Sequence, residues 1–288
     1  MNKIRYGIVG LGNQGTTYNC RIFDENKIEN GIVTALCDID ENKIERMKNL
    51  TINKDLKYFT SYIDMLDSGL IDAVLIEVPH DLHPEMTISA LKRNINVIID
   101  KPAGVYTKQV RIMNEEAKKY NAKYTMMFNQ RTNCLYRKMR EMILNGDIGE
   151  FQRVTWIITD WFRTEHYYST GTWRATWEGE GGGVLINQCP HQIDLIQWII
   201  NKMPISVRAI CQYGKFHNIE VEDDVSAYFE YDNGATGVFI TTTGEAPGTN
   251  RLEISGSKGK LLCENDKLYF FKNDVDSKEF LISSKENL

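Results

Sequence analysis

The chain of 288 residues lacks most features that would set it apart from ordinary globular proteins. It has no basic excess: 34 Lys and Arg face 39 Asp and Glu, for a net charge of −5. Such a balance excludes strong nonspecific binding to nucleic acid or to an anionic membrane. It has no long hydrophobic run; stretches such as 97–99 and 193–200 are short or interrupted by polar residues. It has no Cys-x-x-Cys pair. Cys20, Cys37, Cys134, Cys189, Cys211 and Cys263 stand alone, which argues against a paired-cysteine redox centre or a structural zinc and reads as reduced thiols. No secretory pattern opens the chain, because Lys3 and Arg5 sit in a strand-like stretch that a glycine loop follows at once. These absences predict a cytoplasmic protein that holds no metal. There is no internal repeat and no low-complexity segment. Hydrophobic residues at 42% and charged residues at 25% are those of a folded chain, and the length allows two domains.

What is present is an alternation. Over the first 125 residues, strand signals at 4–9, 32–37, 73–78, 97–100 and 124–128 alternate with helix signals at 15–23, 41–50, 62–66, 84–93 and 108–120. That rhythm predicts a doubly wound parallel sheet with helices on both faces. From 126 to 288 the rhythm changes. Helices at 135–144 and 193–200 flank a long strand at 151–162, and closely spaced strands follow at 207–213, 225–231, 235–242, 252–255, 260–263 and 268–271. Asp232-Asn233-Gly234 and the four residues 256–259 are hairpin turns. Val225, Ala227, Phe229 and Tyr231 share one face of their strand. The expected fold is therefore α/β: an N-terminal Rossmann domain over 1–125, then an α+β domain over 126–288 with an open, mainly antiparallel sheet.

Gly10-Leu11-Gly12-Asn13-Gln14-Gly15 matches Gly-x-Gly-x-x-Gly between a strand and a helix, the context that gives this motif its meaning. Gly10 allows the tight turn, Gly12 lets a pyrophosphate approach the backbone, and Gly15 lets the helix pack against the strand. The helix N-terminus supplies a favourable field for phosphate. Asp38 ends the second strand, where a carboxylate accepts hydrogen bonds from the adenosine ribose and repels a 2′-phosphate. NAD is thus expected in preference to NADP, with Asn13, Gln14 and Ile39 among the cofactor contacts.

Three further segments carry a resemblance: Val78-Pro79-His80-Asp81-Leu82-His83, Asp100-Lys101-Pro102, and the stretch 181–194, Gly-Gly-Gly-Val-Leu-Ile-Asn-Gln-Cys-Pro-His-Gln-Ile-Asp. Together with the glycine loop they resemble the glucose–fructose oxidoreductase / inositol dehydrogenase / MocA family, from the N-terminus to about Cys263. The family usually has Thr and Asn where this chain has Val78 and His80, Glu where it has Asp100, and often Asp where it has Asn187. The resemblance implies that Lys101 polarises or protonates the reacting oxygen and that His191 is the general acid/base, with Val78, Pro79, Asp100, Asn129, Trp173 and Arg174 near the cofactor. A lysine at a strand's carboxyl end suits an oxygen that develops charge, and an imidazole suits proton transfer near neutrality. His80 and His83 are expected to shape the cofactor loop. The Lys101–Pro102 bond is open to the cis form. Asn187 is expected to share a helix face with His191, and to bond a substrate hydroxyl or the imidazole. Asp194 either orients His191 or serves a surface or capping role.

All five tryptophans lie between Trp156 and Trp198, and residues 161–177 hold six aromatics interleaved with Arg163, Glu165, His166, Arg174 and Glu178. Aromatic faces beside polar forks suit a sugar ring; a buried cluster or an oligomer interface is the other reading. Arg163, Tyr168, Trp173 and Asn187, with Lys101 and His191, are the expected substrate contacts. The expected activity is hydride transfer between a nicotinamide and a secondary hydroxyl or ketone of a sugar, sugar derivative or cyclic polyol. NAD-dependent glycoside cleavage through transient oxidation and a non-catalytic dinucleotide-binding regulator are the alternatives. An open antiparallel sheet often pairs with a second copy through one face, so a homo-oligomer, a dimer or tetramer, is expected. Because family members commonly run past this point, the chain is expected to be a truncated form ending at Leu288.

Overall fold

The computed structural model describes residues 3–25, 27–171 and 173–286; Leu288, where truncation is expected, lies outside them. The chain forms two compact units. One runs to Met127 and includes Glu178–Gly181; the other comprises Phe128–Trp177 and the residues from Gly182 onward.

The first unit runs β1 (Ile4–Val9), α1 (Asn13–Thr17), β2 (Gly31–Cys37), α2 (Glu41–Leu50), β3 (Lys57–Phe59), α3 (Tyr62–Asp67), β4 (Ala73–Ile76), α4 (His83–Leu91), β5 (Asn96–Ile99), α5 (Thr107–Ala117) and β6 (Tyr124–Met126). Its six strands pair in parallel in the order β3-β2-β1-β4-β5-β6. Side chains alternate along each strand, so two cores form. Val9, Val74, Ile76, Val97 and Ile99 face one layer, while Ile8, Leu36 and Leu75 face the other with Leu11 and Met47. Burial on both faces explains why these strands read as continuous apolar runs. Asp40 caps α2 by accepting from Asn42 N, and Ser61 caps α3 by accepting from Asp64 N. The expected helix over 15–23 starts earlier, at Asn13, and its second half, Tyr18–Phe23, widens into π geometry.

The second unit continues with α6 (Cys134–Leu144), β7 (Phe151–Ile158), α7 (Glu165–Ser169), α8 (Pro190–Ile200), β8 (Ser206–Tyr213), β9 (Glu222–Glu230), β10 (Thr236–Thr242), β11 (Asn250–Gly256), β12 (Gly259–Glu264), β13 (Lys267–Lys272) and α9 (Ser277–Ser283). The sheet order is β13-β12-β11-β7-β10-β9-β8, antiparallel except for the β7–β10 pair. Trp156, Val225, Ala227, Tyr231, Phe239, Leu252 and Ile254 point to one face and bury against Leu195, Ile196 and Ile199 of α8 and Met139 of α6. Trp156 is fully buried and donates from Nε1 to Asn250 Oδ1 at 3.2 Å, so it belongs to the core and not to a ligand wall. The strand expected through 162 ends at Ile158. Thr159 N bonds Thr249 O and its hydroxyl donates to Glu245 Oε1, which takes the chain out of the ladder.

Candidate active site

The turn after β1 is built to the limit of backbone contact. Gly10 has φ +88°, and a Cβ there would stand 2.2 Å from Glu77 O. A Cβ on Gly15 would stand 2.0 Å from Gly10 O. The chain's own packing requires both glycines. Gly12 differs: its backbone is extended (φ −71°, ψ −157°), and no atom lies within 4 Å of the place its Cβ would take. The fold would accept a side chain there, so the bare backbone answers to something arriving from outside the chain. A pyrophosphate needs this close approach, and on that observation the loop fits NAD. Asn13 and Gln14 lie exposed beside it.

Asp38, 5% exposed after β2, holds the loop in shape. Its Oδ2 accepts from Leu11 N at 2.7 Å and its Oδ1 from Asp40 N at 2.9 Å, with Lys43 Nζ 3.3 Å away. A carboxylate retains further lone pairs after two such bonds. Arg46 of α2, which no sequence motif singles out, closes the loop from the opposite side by donating to Leu11 O at 2.7 Å and Thr16 Oγ1 at 3.0 Å. Ile39 is 91% exposed.

The carboxyl ends of β4 and β5 are tied together by His83. This residue is fully buried, with Nδ1 2.7 Å from Pro102 O and Nε2 3.0 Å from Val78 O. It braces the Val78-Pro79 turn against the Lys101–Pro102 turn, whose peptide bond is cis. Burial drives the His83 pKa below the usual imidazole value, against the pull of the two carbonyls. His80 is buried as well, with Nδ1 3.1 Å from Glu180 O. Asp100 turns its Oδ1 back to accept from Lys101 N at 2.8 Å. Glu77, between β4 and the His80 turn, is a residue that sequence reasoning passed over. Both of its carboxylate oxygens are buried with no hydrogen-bond partner among the described residues. Burial, with Asp100 nearby, pushes its pKa up to about 9.

In the second unit, His191 is the second residue of α8, after Pro190, with the Phe128 ring edge-on at 6.0 Å. Asn187 does not share a helix face with it, because α8 begins only at Pro190; residues before it form turns, with Asn187 N bonded to Gly183 O. Proline at N1, lacking an N–H, favours that late start. Asp194 does not orient His191 through its carboxylate either. It takes a two-pronged bond from Arg131, at 2.7 Å from Nε and 2.5 Å from Nη2. Asn129 is exposed at the start of a 3₁₀ turn, Asn129–Thr132.

The aromatic segment converges on Tyr167, not on the expected Tyr168. Tyr168 is buried; its hydroxyl donates to Thr243 Oγ1 at 3.0 Å and its ring lies 4.9 Å from that of His217. Tyr167 Oη instead faces Arg174 Nη1 at 2.9 Å, Gln188 Nε2 at 3.3 Å and Asn187 Nδ2 at 3.4 Å. The Arg163 and Arg174 guanidiniums both stand over its ring, at 4.9 and 4.8 Å, and Arg174 also stands over Trp173 at 4.7 Å. Trp198 lies outside this group, under Arg131 and Arg140.

A parallel sheet in this order, with a glycine turn after its central strand and an acid after the next, defines a Rossmann dinucleotide-binding unit. Residues 4–128 match the oxidoreductase family with an NAD-binding Rossmann fold, and residues 136–262 match the GFO/IDH/MocA C-terminal domain. The chain belongs to the Gfo/Idh/MocA family of NAD-binding oxidoreductases. It is 26% identical to a myo-inositol 2-dehydrogenase of Thermotoga maritima over 272 residues, covering 91% of this chain and 75% of that protein. It is 24% identical to a 1,5-anhydro-D-fructose reductase of Ensifer adhaerens over 211 residues, covering 73% and 62%. In fold it is similar to the WlbA dehydrogenase of Bordetella pertussis, crystallised with NADH and UDP-GlcNAcA, with a TM-score of 0.86 at 24% identity over 95% of this chain and 84% of that one.

Proposed function

We propose that the protein is a dehydrogenase or reductase of a sugar, sugar derivative or cyclic polyol, with NAD preferred to NADP. The observation that carries this reading is the brace formed by His83. A fully buried histidine sits between the β4 and β5 turns with a carbonyl of each within hydrogen-bond distance; the neutral ring donates to one of them, which helps to fix the loop bearing Lys101 at a strand's carboxyl end. Ligands of open α/β sheets bind at such ends. NAD, held by Gly10, Gly12, Gly15 and Asp38, supplies the hydride acceptor or donor. Lys101 steadies the substrate oxygen through its ammonium, and His191 takes or returns the hydroxyl proton. The inositol and anhydrofructose activities of the two relatives support a polyhydroxylated substrate.

The same reading extends to setting and assembly. None of the six cysteines forms a disulfide among the described residues, as suits a reducing cytoplasm, and among the described residues no helix is long and apolar enough to cross a membrane. The sheet of the second unit leaves Ile210 and Tyr228, which share one face, exposed at 72 and 40%, which supports pairing with a second copy through this surface. Light scattering across a dilution series tests that assembly. A panel of sugars and polyols with NAD and NADP, read by absorbance of the reduced cofactor, tests the activity. Turnover of at least one polyol with NAD is expected. Glycoside cleavage with no net NADH would instead favour transient oxidation, and cofactor binding without turnover across the panel would favour a regulator.

A further inference from the structure

The neighbourhood of Tyr167 is rich in hydrogen-bond donors. Three nitrogen donors, from Arg174, Gln188 and Asn187, face the single Tyr167 Oη, whereas one phenolic oxygen has at most two lone pairs to offer. Among the described residues, Arg163 spends one side-chain donor, from Nη1 to Phe162 O at 3.0 Å, and Arg174 one, to Tyr167 Oη. The Nε atoms of both arginines are buried without an acceptor. Neither guanidinium forms an ion pair with a described residue, unlike those of Arg5, Arg93, Arg131 and Arg251.

The acids of this region are committed elsewhere. Asp223 accepts from Lys215 N, Phe216 N and His217 N and meets His217 Nδ1. Glu222 accepts from Leu185 N, Glu220 from Trp177 N, and Glu165 from Asn218 N. Arg163 itself is fixed in place. Its N donates to Thr243 O at 2.9 Å, and its O lies 3.0 Å from Nε2 of the buried His217. Stacking finishes the placement: Arg163 stands over Trp161 at 5.4 Å as well as over Tyr167. Two guanidiniums are therefore held over aromatic rings, with N–H groups unspent among the described residues. A buried guanidinium N–H without an acceptor is costly, and planar forks match carboxylate and phosphate oxygens two at a time.

We propose that Arg163 and Arg174, stacked on Tyr167, clamp a carboxylate or phosphate carried by the substrate, so that the substrate is an acidic sugar derivative and not a neutral polyol. This rests on the dehydrogenase reading for the ring that carries the anion, but not for the clamp. The same kind of oxygens could come from the cofactor, near which the family resemblance places Arg174. The test separates the two sources without needing turnover. Wild type, Arg163→Gln, Arg174→Gln and Arg163→Lys are titrated calorimetrically with D-glucuronate, D-glucose 6-phosphate and D-glucose, with and without saturating NADH, and separately with NADH alone. Circular dichroism confirms that each variant is folded.

At least one of the two anions should bind wild type about tenfold or more tightly than glucose, as expected for charge-assisted forks. Each Gln variant should lose that margin, Arg163→Gln while binding NADH within about twofold of wild type, and Arg163→Lys should recover part of it. Equal affinity for acidic and neutral sugars would overturn the proposal. So would Gln variants that keep the margin, or a loss that falls on NADH instead of the sugar. Anion binding that depends on both arginines in a protein inactive toward every sugar would sink the dehydrogenase reading and leave the clamp standing.

Discussion

Replacing Glu77 by Gln should stabilise the protein at neutral pH and flatten its pH dependence. The carboxyl of Glu77 is buried at the end of β4 with both oxygens unpartnered, close to Asp100, and its pKa rises to about 9. A group raised on folding contributes full stability below its unfolded value, near 4.5, and loses it as pH climbs toward the folded value. At pH 7 the unfolded chain has ionised Glu77 while the folded chain still holds it protonated. With 1.36 kcal/mol per unit, the interval from 4.5 to 7 corresponds to roughly 3 kcal/mol of lost stability, most of which should return when pH is lowered from 7 to 5. Gln keeps the shape and a similar uncharged polarity, so it should remove this dependence and gain roughly 2–3 kcal/mol at pH 7. The assay is urea unfolding of the cofactor-free protein from pH 5 to 8, with hydrogen exchange at β4 and β5 amides to report on the first unit. All other titrations are shared by the two proteins and cancel in the difference. A wild type and a Gln variant with parallel pH slopes, or a variant less stable at pH 7, would refute the reasoning. So would a carboxyl resonance of Glu77 titrating near 4.5.

Three other outcomes follow from the geometry. Gly10→Ala places a Cβ 2.2 Å from Glu77 O at φ +88°, so it should cost at least about 1–3 kcal/mol in unfolding experiments; Gly12→Ala meets no atom and should leave stability within about 0.5 kcal/mol. Gly12→Ala should nevertheless weaken NADH binding, read by fluorescence, and unchanged affinity would count against the pyrophosphate assignment. Lys101→Ala and His191→Ala should each lower turnover by about 10²-fold or more while NADH still binds; full activity in either would remove that residue from the chemistry. The depressed pKa of His83 means that its contribution is present above the ordinary imidazole value and is lost as pH falls below about 6.5. His83→Gln should therefore unfold less steeply with acid than wild type in a pH series of thermal scans, even though its midpoint at pH 8 is lower.

Much of the fold is legible in the residues because it depends on local periodicity. β1 and α2 fall where apolar runs and caps put them, and the first hairpin turn, 232–234, joins β9 to β10. What escapes is short or set by distant partners. β3 has three residues and exists only because β2 offers it an edge. α7 lies in the aromatic segment, where no apolar period marks it, and starts at the Thr164 cap. The π turn at Tyr18–Phe23 leaves no mark in composition.

The site divides along the same line. Gly10, Gly12, Gly15 and Asp38 form a motif whose spacing is dictated by one strand, one turn and one helix, so the sequence alone could single them out as candidates. Tertiary structure decided what those residues spend their bonds on, and which others join them. Asp38 braces the glycine turn, Arg46 closes it, Asp194 goes to Arg131 and not to His191, and Tyr167, not Tyr168, gathers the donors. The reason is physical. A hydrogen-bond donor or an unpaired charge is defined by what surrounds it, and those surroundings come from residues that the chain brings together from far apart.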